Sequence, residues 1–291
     1  PLIASQVAGG SIVADTLLSI RVRGDRRADL DGDFSMDLTI NNTASDRRAL
    51  GRIFVKGDFL DSVVTISGAT NSVLVRGDVE GVTFDQQGEL RSWRADRVRD
   101  TDLTIDDRCR LISCTDWQGG SIMADDVTVF NANGDRREGI PGDLRTEVEM
   151  DNVNSFRLRN GGSLDATSVT IRTVRSMVID GDVIDSERLF DILQTNNTFE
   201  VLAANSLRIG GDMFRSDIRT LEAINRIEIS TLVDSNIILG AGSVNAEGFP
   251  PGAENVAENA NLNTIIINPR RDGVGFVNSF VICADLGNAF I

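Results

Sequence analysis

The 291-residue chain has no histidine, no tyrosine, a single lysine (Lys56), five prolines and only 5% aromatic residues. Without imidazole it lacks the side chain that titrates near neutrality and the commonest zinc ligand, so histidine-based acid–base catalysis and His-ligated metal centres are excluded. Three cysteines, Cys109, Cys114 and Cys283, are too few for a disulfide framework. Cys109 and Cys114 are an odd five residues apart, which on a continuous strand sets them on opposite faces and out of bridging range. No apolar run reaches the roughly 20 residues of a membrane-spanning helix. A formal net charge of −15 argues against a nucleic-acid partner and against anionic membranes. The sequence opens on Pro1 rather than Met, which we read as a processed or excised chain.

What the sequence has is repetition. "SIRVRGD" (19–25) returns as "RIFVKGD" (52–58), "SVLVRGD" (72–78), "SMVIDGD" (176–182) and "SLRIGGD" (206–212). The pattern is two alternating apolar residues and then a turn residue. It recurs with Gly, Asn or Asp at the last position, as in Leu38/Ile40/Asn42, Leu103/Ile105/Asp107 and Phe156/Leu158/Asn160. Alternation means a short strand with one face inward, and the turn residue implies a tight bend at positive φ. The repeats fall about 20 to 25 residues apart, the length of one coil of a parallel β-helix. The expected fold is therefore all-β: a single-stranded right-handed parallel β-helix, a solenoid of about 10–12 coils with loop insertions. Paired aliphatics fill its interior, and a narrow interior has no repeated room for aromatics.

Corners recur too. After Gly-Asp come an apolar pair and a serine, in "GDFLDS" (57–62), "GDVIDS" (181–186) and "GDMFRS" (211–216), while "GGSI" or "GGSL" stands at 9–12, 119–122 and 161–164. The Asp after each Gly is expected to accept backbone N–H groups at the bend. Residues 1–291 read as one domain, with inserted loops near 41–51, 131–143, 186–205 and 243–263 and a short helix over 186–197 capped by Ser186.

Few groupings carry chemistry. "DLDGD" offers Asp29, Asp31 and Asp33 as oxygen ligands around Gly32, a weak calcium site, although the EF-hand position for a bidentate glutamate holds Ile40. A turn rich in aspartate is the plainer reading. Asp106/Asp107 and Asp125/Asp126 are adjacent carboxylates of the kind glycoside cleavage uses, but neighbours on a strand point to opposite faces. Three "DRR" runs (25–27, 46–48, 135–137) read as solvated ion pairs or recognition patches. No catalytic residue and no cofactor is assigned; catalysis stays open but disfavoured.

The mixture of "GGSI.AD", "L.SI.V.GD" and "GD...S.I" over about residues 9–240 resembles the secreted or cell-surface β-helical repeat proteins of bacteria, notably the large surface proteins of planctomycetes and, more distantly, autotransporter passengers. That resemblance implies a stiff extracellular segment used in coats, attachment or filaments. The expectation is a non-enzymatic structural or adhesive module at the cell surface. Its partners would be itself, by end-to-end or lateral assembly, or extracellular glycans. A β-helix polysaccharide lyase or hydrolase and a phage tail-spike shaft are the alternatives.

Overall fold

A computed structural model describes residues 1–42, 48–165, 169–184, 206–220, 223–239, 261–269 and 275–290. The protein is all-β: among the described residues there is no helix, and every named strand pairing is parallel, within one 22-stranded and one three-stranded sheet. The expected helix over 186–197 lies outside the described residues, as does 243–260.

Pairings fall into three ladders that the chain visits in rotation. The first stacks Leu2, Ile20, Ile53, Val73, Trp93, Ile112, Phe130, Phe156, Met177, Leu207, Ile227, Ile265 and Ala289, each in register with the next. The second begins Val7, Phe34, Phe59, Val79, Val98, Trp117 and Leu144. The third runs Ile12, Leu38, Val64, Phe84, Leu103, Ile122, Val148 and Val169. One lap is clearest in Arg97–Cys114, which carries Val98 on the second ladder, Leu103 on the third and Ile112 on the first. Apart from its end members Leu2 and Ala289, every residue of the first column is buried. Alternation thus does what the sequence implied: one side chain of each pair enters a shared core, directly over its counterpart on the rung before.

Four expectations need correction. The glycines of Gly57-Asp58, Gly77-Asp78, Gly181-Asp182 and Gly211-Asp212 do not have positive φ; left-handed backbone occurs at Gly24, Gly68 and Gly81, and at Asp61, Asp100 and Asn160. Crowding is what selects glycine there. A Cβ on Gly77 would lie 2.2 Å from Asp58 Oδ1 and 2.6 Å from Gly57 O on the preceding rung. Aromatics do fit the interior, in pairs on adjacent rungs: Phe34 meets Phe59 edge-on at 5.0 Å, and Phe130 stacks on Phe156 at 4.7 Å. Trp93 and Trp117, on different ladders, stack at 5.2 Å. Cys109 and Cys114 are both buried rather than on opposite faces, because the strict alternation breaks between Cys109 and Ile112, where Arg110 and Leu111 both turn away from the core. They remain free thiols. Finally, the expected loop over 41–51 is largely strand at its ends, since Phe34–Asn41 and Arg48–Val55 both pair; only 43–47 lies outside the described residues.

Candidate functional site

Asp33, the most buried of the three calcium candidates, is occupied by the backbone. Its Oδ1 accepts the Asp58 N–H at 2.9 Å, Asp58 Oδ1 accepts that of Asp78 at 2.8 Å, and Asp182 Oδ1 that of Asp212 at 2.8 Å. Asp143 and Ser163 continue the series, with Asp143 Oδ1 accepting the Ser163 N–H at 2.9 Å and Ser163 Oγ that of Asp182 at 3.0 Å. At these Gly-Asp corners the carboxylates of Asp33, Asp58, Asp143 and Asp182 therefore hold the next rung at the same corner. Asp29 and Asp31 are exposed, with Asp29 in left-handed backbone. Among the described residues no three acidic or thiol side chains come together as a metal site, so the trio is not assembled.

The corner serines form a second series. Ser62, Ser216 and Ser235 donate to the carbonyls of Leu60, Phe214 and Val233 at 2.6–2.7 Å. Two of these hydroxyls also accept across rungs: Ser62 Oγ takes the Met36 N–H at 2.9 Å and Ser235 Oγ that of Ser216 at 3.1 Å. These short polar side chains serve the bends, which leaves the long charged ones for the surface.

Acidic groups gather at one corner. Ile105 pairs with Ala124 and Arg108 with Asp126, a register slip that leaves Asp106 and Asp107 both exposed opposite Asp125. The opposite-face argument fails at this bend. Although Asp125 is exposed, partial desolvation by its surroundings and then the neighbouring charges of Asp151, Asp106, Asp126 and Asp107 raise its carboxyl pKa. Asn152 Nδ2 donates to Asp126 Oδ1 at 2.7 Å.

Basic groups gather elsewhere, on the outer face of the first ladder. Arg21, Phe54, Leu74 and Arg94 form one outward row in register. Arg23, Lys56 and Arg76 form the next, their N–H groups bonding to Ala4, Val22 and Val55 carbonyls at 3.0–3.1 Å. The guanidinium groups of Arg52 and Arg76 lie 5.3 and 5.5 Å from the centroid of the Phe54 ring between them, a cation–π arrangement that fixes both. Arg52, Ser72, Arg91 and Arg94 line an open groove of about 230 Å³. Arg52 Nε is buried there without an acceptor. None of Arg21, Arg23, Arg52, Lys56, Arg76, Arg91 and Arg94 pairs with a described carboxylate; the described ion pairs belong to Arg97, Arg99, Arg145, Arg208 and Arg226. Further along the same face a groove of about 630 Å³ is lined by Arg136, Arg157, Arg159, Asn160 and Asp180. Arg136 Nε donates to Asn160 Oδ1 at 2.6 Å, and Asp180 takes the Asn160 N–H at 3.2 Å, while the guanidinium groups of Arg157 and Arg159 have no described partner.

Two matching turns flank this face. "GDRRADLDGD" (24–33) and "GDRREGIPGD" (134–143) each close with a pair of reciprocal backbone bonds, Asp25 with Leu30 at 2.8 and 2.9 Å and Asp135 with Ile140 at 2.7 and 2.8 Å. In each, the first aspartate accepts the N–H two residues on, that of Arg27 at 2.9 Å or Arg137 at 2.7 Å, and both arginines after it are exposed. The aspartates of these turns cap the backbone rather than pair with the arginines beside them, none of which has a described carboxylate partner. Asp46 and Arg47, the core of the third run, lie outside the described residues. The signal for the equivalence was available in the sequence. Residues 9–42 laid over 119–152 match at Gly9–Ile12, Ala14, Asp15, Gly24–Arg27, Gly32, Asp33 and Asn42. Only the shared offset of 110 residues, seen once the turns superpose in role, ties these fragments into one duplication.

No protein-family model, curated protein or solved structure matches this chain.

Proposed function

We propose that the three ladders are the faces of a right-handed parallel β-helix, and that the chain is a non-enzymatic structural or adhesive module working outside the cell. The observation that carries the reading is the unbroken first column, thirteen in-register positions from Leu2 to Ala289 with all members between its ends buried. Such a stack depends only on neighbouring rungs and extends by repetition, which suits a rod better than a pocket. Right-handedness follows from the strong preference of crossovers between parallel strands of one sheet. The resemblance to bacterial surface repeat proteins adds the extracellular setting, the role in coats or attachment, and partners that are either copies of the chain or surface glycans.

At about 4.8 Å per rung the stack is roughly 60 Å long. Small-angle scattering and negative-stain micrographs should give a rod of that length, or multiples of it. A near-spherical particle of the same mass would overturn the reading.

One observation favours a second reading, a glycan-active β-helix enzyme: Asp106, Asp107, Asp125 and Asp126 converge on one outward corner. Incubation with acidic and neutral polysaccharides, followed by reducing-end and unsaturation assays, separates the two. Release of new chain ends that disappears in Asp125→Asn would select the enzyme.

A further inference from the structure

We infer that the arginine-rich outer face of the first ladder binds a linear polysaccharide bearing carboxylates or sulfates, laid along the stack between the two DRR turns. The inference rests on the adhesive-module reading and names its ligand.

Charge is the first ground. The chain carries a formal charge of −15, yet on this face Arg21, Arg23, Arg52, Lys56, Arg76, Arg91 and Arg94 occupy consecutive rungs without a described carboxylate partner. Unneutralised cations in rows repel one another, and relief comes from an anion that spans the rows. Six of the seven are arginine, whose planar fork takes carboxylate and sulfate oxygens two at a time. Arg52 is already held in place against Phe54, with its Nε withdrawn from water and lacking an acceptor.

Shape is the second ground. The face is a flat run of parallel strands, so cations recur at the rung spacing of about 4.8 Å. This is a ruler for an extended polymer rather than a cup for a small ion. The DRR turns leave the stack after Ile20–Val22 and Asp116–Ala132. Between those strands the ladder passes through Arg48–Val55, Ala69–Val75, Trp93–Arg94 and Arg97–Cys114, five steps in all. The turns are thus about 24 Å apart on one side of the stack. Each offers two exposed arginines, Arg26 and Arg27 or Arg136 and Arg137, with a basic groove between or beyond. Two equivalent grips on one rigid body give a ligand long enough to reach both an effective-concentration advantage.

Nucleic acid shares the negative charge but not the fit. Single-strand binders stack bases on exposed aromatic rings; here Trp93 and Trp117 are both buried, and the outward-facing Phe54 ring is already taken by the guanidinium groups of Arg52 and Arg76. Overall repulsion also grows with the dense charge of a phosphate backbone.

The test uses the intact chain and four probes: size-fractionated polygalacturonate for carboxylate, chondroitin sulfate for sulfate, dextran as the neutral control and single-stranded DNA. Calorimetry or affinity electrophoresis should show binding to one or both acidic glycans, none to dextran, and weakening with salt. Affinity should rise on the order of a hundredfold once the oligomer exceeds about 24 Å. Arg26→Ser and Arg27→Ser combined with Arg136→Ser and Arg137→Ser should abolish that rise. Arg52→Ser with Arg91→Ser and Arg94→Ser should weaken binding roughly tenfold at every length. Circular dichroism melting confirms that the variants fold. Absence of glycan binding at low salt, DNA binding as tight as glycan binding, or affinity indifferent to these arginines in folded variants would each overturn the inference. A rod that binds no glycan leaves the scaffold reading intact, whereas a bound glycan that is cleaved removes the non-enzymatic reading and keeps the face.

Discussion

Asp58 Oδ1 accepts the backbone N–H of Asp78 at 2.8 Å, across one rung of the stack and 20 residues of chain. Asp58's own N–H is held in the same way by Asp33 at 2.9 Å. A side chain is here used as a standard inter-rung connector at a bend, where the backbone ladder alone leaves a donor uncovered.

Asp58→Ala should therefore cost about 1–3 kcal/mol, the penalty for stranding a partly buried N–H. Asp58→Asn keeps an oxygen in place and should cost well under half as much. Chemical denaturation of both variants checks the contrast, and equal losses would mean the charge matters rather than the acceptor.

Gly77→Ala places a methyl group 2.2 Å from Asp58 Oδ1 and 2.6 Å from the Gly57 carbonyl. Because the second obstacle is backbone, we expect a loss of about 3 kcal/mol or more. Gly139→Ala is the control: it has positive φ and open space around it, and should cost about 1 kcal/mol. The reverse order in thermal melts would restore left-handed backbone as the reason for the Gly-Asp glycines.

Asp125→Asn should stabilise the protein near neutral pH. The folded state raises this carboxyl's pKa, chiefly by desolvation and then through Asp151, Asp106, Asp126 and Asp107. In the window between the ordinary and the raised value the folded chain binds more protons than the unfolded one. Stability therefore falls as pH rises through that window, and the full penalty is present above it. The gain from asparagine should vanish below the ordinary carboxylate range, where both states are protonated. Since Asp125 is exposed, the effect is small and shrinks with salt. Paired melts across pH read it directly.

Thiol labelling should divide the cysteines two to one. Burial pushes the Cys109 thiol up to about 12 and raises Cys114 as well, while Cys283 is only half-buried. A thiolate reagent followed by mass spectrometry should mark Cys283 first and reach Cys109 and Cys114 only in denaturant.

Much of this architecture was legible in the sequence, and the parts that were not share a cause. Ile53/Val55 before Gly57, and Val73/Val75 before Gly77, announce inward-facing strands because alternation is a local property. The role of Asp58 was also readable, since aspartate after glycine at a bend is a backbone acceptor in waiting. The role of Gly57 and Gly77 was not, because the atom that excludes a Cβ belongs to the previous lap. Asp106 and Asp107 face the same way for a reason equally remote, a register slip against the next rung. The basic face depends on pairing order: Arg21, Arg52, Arg76 and Arg94 are scattered along the sequence and become neighbours only once Ile20, Ile53, Val73 and Trp93 are stacked.

The connectors formed by Asp33, Asp58, Asp143 and Asp182 have a direction, since each of these carboxylates reaches forward to the rung that follows. Loosening one rung deprives its successor of an acceptor and leaves its predecessor's carboxylate idle. Because each rung is held by its neighbours, unravelling should travel inward from the extremities, and amide exchange should be slowest among the interior rungs. On the proposed β-helix reading the molecule wears from its tips, as a rope does, while its middle keeps its grip.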